Sequence, residues 1–148
     1  MGEVAVSFVL KMAIMIGIMM SVYYTMNFYA DSIAKQQLYV HLKEVAEYVE
    51  TNVVAGLAAV NEAGSNYTKR IDLPSLSKMY TVDLSCDETL NINATAPVTG
   101  RSYILKDDFS CNWMNASGYA FAGHPCLNVK RINATNVELT LGSDCEII

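Results

Sequence analysis

At 148 residues the chain is long enough for one domain with a real core, but too short for two ordinary domains plus a membrane-length helix. Hydrophobic residues make up 52% of the sequence, and their excess is concentrated near the N-terminus. The net charge of -5 and the scattered lysines and arginines argue against nucleic-acid binding, since that needs a basic face to displace phosphate counterions.

The first predicted element is an apolar helix. Residues 12–30 contain no charged side chain, and about twenty apolar residues are enough for a helix to cross a bilayer. Aromatic residues collect at the C-terminal end of this stretch, as they do at membrane interfaces: Tyr23, Tyr24, Phe28 and Tyr29. The stretch lacks the basic start and the small-residue cleavage site of a secretory signal, so we expect it to stay on the chain.

The apolar helix is expected to continue as an amphipathic helix. Apolar residues recur every three or four positions, with charged residues off this stripe. The apolar stripe consists of Leu38, Leu42, Val45, Val49, Val53, Leu57 and Val60. One helix from about residue 2 to about residue 60 would be roughly 90 Å long, and Asn61 and Gly64 supply a stop signal. The alternative is two helices, a membrane anchor and a surface helix, although no proline forces a break between them.

After Pro74 the sequence changes to short runs of β-forming residues separated by turn signals. The predicted strands are residues 79–84, 89–95, 102–105, 118–122, 127–132 and 137–141. Their spacing is typical of an antiparallel meander, and the alternation within several runs predicts one buried face. The apolar stripe is the obvious cover for that face.

The predicted fold class is therefore α+β, with a long N-terminal apolar and amphipathic helix packed on a C-terminal antiparallel β-rich head. Three segments follow from this organisation. Residues 1–35 form the apolar assembly or membrane helix, residues 36–62 form the amphipathic helix that continues into the head, and residues 63–148 form the disulfide-bonded head.

All four cysteines lie in the predicted head: Cys86, Cys111, Cys126 and Cys145. An even number without a CxxC motif or a Cys/His cluster indicates two disulfides formed in an oxidising compartment, not a metal site. In a simple meander Cys86 and Cys111 lie at one end of the sheet, whereas Cys126 and Cys145 lie at the opposite end. Because a disulfide needs Cα atoms within about 7 Å, we predict the pairs Cys86–Cys111 and Cys126–Cys145.

The glycosylation sequence Asn-x-Ser/Thr occurs four times, always after residue 60. The four asparagines are Asn66, Asn93, Asn115 and Asn133. Since they share this part of the chain with every cysteine, we expect an exported head that carries N-linked glycans on at least two of these sites.

The order of these features resembles the type IV pilin superfamily. The chain opens on a long apolar helix with one acid near its start, Glu3, and continues as an amphipathic helix and a β-rich head. Several sequons, the Leu73-Pro74-Ser75 entry to the sheet and the absence of a Phe-Thr-Leu-Ile-Glu opening are more similar to archaeal pilins and archaeal surface-filament proteins. The resemblance implies a structural subunit that resides in the membrane before assembly. It then joins a homo-oligomeric helical filament at the cell surface through its N-terminal helix.

Three residues of the apolar helix are candidate assembly residues. A charge in an apolar environment costs several kcal/mol unless it is paired, and Glu3 and Lys11 lie on one face of the helix about 12 Å apart. We expect Glu3 to meet Lys11 or the N-terminal amine of a neighbouring subunit; alternatively both charges lie in the headgroup zone. Gly17 is either a close-packing point between helices or a point where the helix bends.

We recognise no residues for catalysis, and we expect neither enzymatic activity nor a cofactor or metal. His41 and His124 are far apart in sequence, and no nucleophile motif or phosphate-binding loop is present. The pair Asp107-Asp108 is interpreted as a solvated turn rather than a calcium site, and the methionines of the apolar helix as adaptable packing residues. The competing functions are a membrane-anchored protein that does not polymerise (a minor pilin, a stator or an adhesin head) and a membrane-anchored surface enzyme.

Overall fold

The computed structural model describes residues 2–76, 78–142 and 145, and for residues 2–5 it describes the backbone alone. The described part of the chain contains one helix and seven strands: α1 (Gly2–Ala59), β1 (Asn66–Arg70), β2 (Thr81–Cys86), β3 (Thr89–Ala96), β4 (Arg101–Ser110), β5 (Met114–Phe121), β6 (Cys126–Arg131) and β7 (Val137–Gly142). It divides into two compact units between Gln37 and Leu38.

Helix α1 is one uninterrupted element, which confirms the prediction of a continuous helix and rules out a break into two. Immediately after the last residue of α1, the guanidinium of Arg131 donates to the carbonyl oxygens of Val60 at 3.0 Å and Asn61 at 3.3 Å. Gly64 then adopts a φ of 83°, a conformation that favours glycine. The predicted stop at Asn61 and Gly64 is confirmed.

In the second unit, the apolar stripe of α1 covers one face of the sheet, which confirms the α+β fold. Its residues are fully or almost fully buried, except for the partly buried Leu57. Gly56 lets the helix approach the sheet closely, because a Cβ atom at this position would lie 2.7 Å from Cγ2 of Val129 on β6. The covered face of the sheet is called the inner face below, and the opposite face the outer face.

The strand order is β1-β6-β7-β5-β2-β3-β4. Strands β2, β3 and β4 form the expected meander, but β5 pairs with β2 on one side and runs parallel to β7 on the other. The prediction of a simple meander is therefore wrong. In its central position β5 buries its small residues Ala116 and Ala120 on the inner face, whereas β4 carries the half-buried Asp107 at the sheet edge.

Several strand boundaries also differ from the prediction. Strand β4 extends to Ser110, so Asp107 and Asp108 are strand residues and not a turn. Strand β5 begins at Met114, four residues earlier than expected, and β2 begins two residues later, at Thr81. Strand β1 was not predicted, because it is a polar edge strand in which only Tyr67 is partly buried.

The connection between β1 and β2 closes the core at one end of the sheet. Its backbone N–H groups at Ile71 and Leu73 donate to the carbonyl oxygens of Pro125 and Gly123, at 2.9 and 2.8 Å. Tyr80 is fully buried, and its hydroxyl donates to the carbonyl oxygen of Pro74 at 2.6 Å. Burial raises the pKa of Tyr80 to about 12.

Candidate functional site

The first candidate surface is the apolar part of α1. Every side chain from Val6 to Gln37 is exposed, and the large apolar ones lie on all sides of the helix. A helix that is apolar all round is stable only where lipid or other protein covers it. Within the described residues, α1 is the one helix long and apolar enough to cross a membrane, with a mean hydropathy of 1.9 in its most apolar window.

The aromatic band follows the most apolar part of the helix. Tyr23 and Tyr24 have ring centroids 6.2 Å apart, and those of Phe28 and Tyr29 are 6.4 Å apart. One turn later Lys35 forms an ion pair with Asp31. A change from apolar to aromatic to charged side chains matches the change from hydrocarbon to headgroup to water at a membrane interface.

The candidate assembly residues all lie on α1. The backbone of Glu3 belongs to the helix, but its side chain lies outside the described residues. Lys11 is exposed, and a Cβ atom added at Gly17 would meet no atom within 4 Å. Room at Gly17 would permit another helix to approach, but the roles of these three residues stay predictions.

The second unit contains the two predicted disulfides. Cys86 bonds Cys111 with Cα atoms 5.7 Å apart, and Cys126 bonds Cys145 with Cα atoms 5.0 Å apart. The first bond joins the end of β2 to the end of β4, and the second lies at the opposite end of the sheet. The predicted pairing is confirmed although the meander is wrong, because it depends on the alternating directions of successive strands and not on which strands are neighbours.

The four sequon asparagines lie on the outer face of the sheet or in a turn. Strand pairing aligns Asn66, Lys130, Glu138 and Asn115 in one row across the outer face. Asn133 lies in the β6–β7 turn, at the same end of the sheet as this row. Asn93 lies further along the outer face, in the middle of β3. Three candidate sites thus cluster at one end of the sheet.

Two of the sequons form hydrogen bonds within themselves. The hydroxyl of Thr95 donates to Oδ1 of Asn93 at 3.1 Å, and the hydroxyl of Thr135 donates to Oδ1 of Asn133 at 3.0 Å. The backbone N–H of Thr135 also donates to Oδ1 of Asn133, at 2.9 Å. These bonds engage the amide oxygen and not Nδ2, the atom to which a sugar would be attached.

A pair of acidic side chains in the second unit was not expected from the sequence. Glu50 on α1 and Asp107 on the inner face of β4 are both partly buried. Burial raises the pKa of Glu50 above its ordinary value, and the negative charge of Asp107, their hydrogen bond and Glu47 raise it further. Residues so distant in sequence leave no local signal of such a contact.

The two histidines form exposed pairs with acidic side chains. His41 contacts Glu44 at 3.2 Å, and His124 contacts Asp72 at 2.6 Å. Asp107 and Asp108 are consecutive strand residues whose side chains point to opposite faces of β4, so they cannot coordinate the same cation. Among the described residues no group of three or more His, Cys, Asp or Glu side chains could hold a metal ion.

Comparisons of the chain with protein-family models, curated proteins and solved structures find no match. Support for a function therefore comes from the apolar part of α1, the two disulfides and the outer face of the sheet.

Proposed function

We propose that the chain is a structural subunit of an extracellular filament of the type IV pilin kind, similar to the archaeal members. The observation that carries this proposal is the continuous helix α1, which is apolar on all sides over its first part and amphipathic where it packs on the sheet. The first part would lie in the membrane before assembly. It would then pack against the same helix of other subunits, while the heads face water.

The head is suited to a position outside the cell. Two disulfides are stable in an oxidising compartment, and sequons on the outer face or in a turn are open to modification. The function requires no catalytic site, cofactor or nucleic acid. Its partners would be other copies of the chain, the membrane lipids and N-linked glycans.

The alternative is a membrane-anchored protein that does not polymerise, for which the same helix would serve only as an anchor. Electron microscopy of the protein purified from its native source separates the two functions. Helical filaments in which this chain is the main component support the proposal. Dispersed particles that stay in detergent micelles would favour the alternative.

Glu3→Ala tests the mechanism of assembly. An acid in an apolar helix bundle needs a partner, and removing one member of a buried ion pair costs about 3 to 5 kcal/mol. We expect the variant to remain in the membrane fraction while its filament yield falls more than about tenfold. Lys11→Ala should behave in the same way if Lys11 is the partner, whereas normal assembly of this second variant would exclude Lys11 as the partner of Glu3.

The control for Glu3→Ala is Glu62→Ala, which removes an exposed acid beyond the end of α1 and should assemble normally. Normal filament yield from Glu3→Ala would contradict the role of Glu3 and leave the filament function in place. A wild-type chain that forms no filaments would contradict the function itself.

A further inference from the structure

Two exposed aromatic side chains stand together on the outer face of the sheet. Tyr119 and Phe121 on β5 are 62% and 61% exposed, and their ring centroids are 5.8 Å apart. They are called the aromatic platform. Their cross-strand neighbours on β2, Asp83 and Thr81, are polar, as is most of this face. Aromatic rings left open to water on a polar surface commonly mark a place where something binds.

The strand register aligns the platform with one of the sequons. Asp83 pairs with Asn93 on one side and with Tyr119 on the other, so these three residues form one row across β3, β2 and β5. In the next row Thr81 pairs with Thr95 and with Phe121. Since neighbouring strands lie about 4.8 Å apart, Asn93 is roughly 10 Å from Tyr119. The side chains of Asp83 and Thr81 on β2 lie between Asn93 and the platform.

We propose that the first sugars of a glycan on Asn93 lie across Asp83 and cover the aromatic platform. A pyranose ring presents C–H groups on its faces and hydroxyl groups at its edge. The C–H face can pack on Tyr119 and Phe121. The sugar hydroxyl groups can donate hydrogen bonds to the carboxylate of Asp83 or form a hydrogen bond with the hydroxyl of Thr81. This inference rests on the glycosylation part of the proposed function.

Asn93 is better placed for this contact than the other three sequon asparagines. Its Oδ1 accepts a hydrogen bond from Thr95, and this bond leaves Nδ2 available for the sugar. Asn115 lies on the same strand as the platform but four residues from Tyr119, about 13 Å along the strand. Asn66 lies in the same row as Asn115, but on β1, three strands further from the platform. Asn133 lies in the β6–β7 turn, beyond that row.

The experiment measures how quickly tetranitromethane nitrates Tyr119 in the full-length protein from its native source, kept unassembled in detergent. Peptide mass spectrometry gives both the nitration rate and the glycan occupancy of each sequon. The exposed Tyr48 on α1 is the internal reference. In N93Q we expect Tyr119 to react about fivefold faster than in the wild type. A sugar–ring contact as strong as one aromatic pair, about 1 kcal/mol, would keep the ring covered by about that factor.

Matched variants separate the glycan from the side chain that carries it. T95A removes the sequon and keeps Asn93, so it should react like N93Q, whereas T95S keeps the sequon and should react like the wild type. N115Q removes a glycan site on the same face and should leave Tyr119 protected. Exposure of Tyr119 in the T95A variant shows that the sugar, and not the Asn93 side chain, covers the ring.

Three results would overturn the inference. In the first, Asn93 carries a glycan, but Tyr119 reacts equally fast in the wild type and in N93Q. In the second, Asn93 carries no glycan, whether the other three sequons are occupied or empty. In the third, the same nitration is repeated on assembled filaments, and Tyr119 is protected there independently of Asn93 but not in the unassembled protein; this would assign the platform to a neighbouring head instead. None of these results contradicts the filament function, which electron microscopy tests separately.

Discussion

At the residue scale, the pair formed by Glu50 and Asp107 links the stability of the second unit to pH. The pKa of Glu50 is raised in the folded chain, so the folded state holds this proton more tightly than the unfolded state does. The contribution of the protonated Glu50 to stability is fully present when the pH is below the ordinary glutamate pKa of 4.5. It is lost as the pH rises through the higher pKa of the folded state.

We expect Glu50→Gln to increase the free energy of unfolding at pH 7 by about 0.5 kcal/mol, the size of a like-charge contact between partly exposed side chains. At pH 3 the variant and the wild type should be equally stable, because Glu50 is then protonated in both states. Urea titration of the full-length protein in detergent, followed by the fluorescence of Trp113, measures both values. Glu62→Gln removes an acid outside this pair and serves as the control; an equal effect of the two substitutions would contradict the prediction.

At the element scale, the junction between β5 and β7 depends on Gly118. These two strands are parallel, and Gly118 pairs with Leu141 at the end of their contact. A Cβ atom on Gly118 would lie 2.1 Å from the carbonyl oxygen of Leu141, and the glycine has a φ of 116°. Any other residue would therefore meet both a backbone clash and an unfavourable conformation.

Gly118→Ala should reduce the free energy of unfolding by about 3 kcal/mol, through the combined cost of backbone strain and overpacking. The matched control is Gly142→Ala on β7, since a Cβ atom there would meet nothing within 4 Å. Its effect should stay within about 0.5 kcal/mol. The same urea titration compares the two variants, and equal stability of Gly118→Ala and Gly142→Ala would mean that β5 and β7 are not in this register.

At the scale of the whole molecule, the disulfides hold the two ends of the sheet. The cysteines of the first bond are 25 residues apart in sequence and those of the second are 19 apart. Each closed loop is of a size for which the chain-entropy treatment gives about 3 kcal/mol. The Cys86–Cys111 bond connects the ends of β2 and β4. The Cys126–Cys145 bond connects the start of β6 to Cys145, which follows β7, at the opposite end of the sheet.

Replacing both Cys126 and Cys145 by serine should therefore lower the free energy of unfolding by about 3 kcal/mol, and the same change at Cys86 and Cys111 should have a similar effect. Peptide mapping without reduction is the accompanying measurement on the wild-type chain. It should recover Cys86 linked to Cys111 and Cys126 linked to Cys145. A link between Cys111 and Cys126 would contradict the alternation of strand directions.

The sequence by itself determined the elements whose signal is local. The period of the apolar stripe predicted which side of α1 is buried, because side chains three or four positions apart share a helix face. Short runs of β-forming residues between turn signals predicted six of the seven strands, and alternation within several of them predicted the buried face. Alternating strand directions predicted both disulfides, since the chain reverses direction between successive strands whichever strands become neighbours. The edge strand β1 escaped detection because it buries too little apolar surface to leave an alternating pattern.

Only the tertiary structure decided which elements are neighbours. Strand β5 lies between β2 and β7 with its small residues Ala116 and Ala120 buried on the inner face, and no periodicity within β5 encodes which strands flank it. The same pairing places Asn93 in one row with Tyr119, and the packing of α1 on β4 brings Glu50 to Asp107. Such contacts join residues far apart in sequence. They arise from the competition of all strands for the most buried positions, which local patterns do not record.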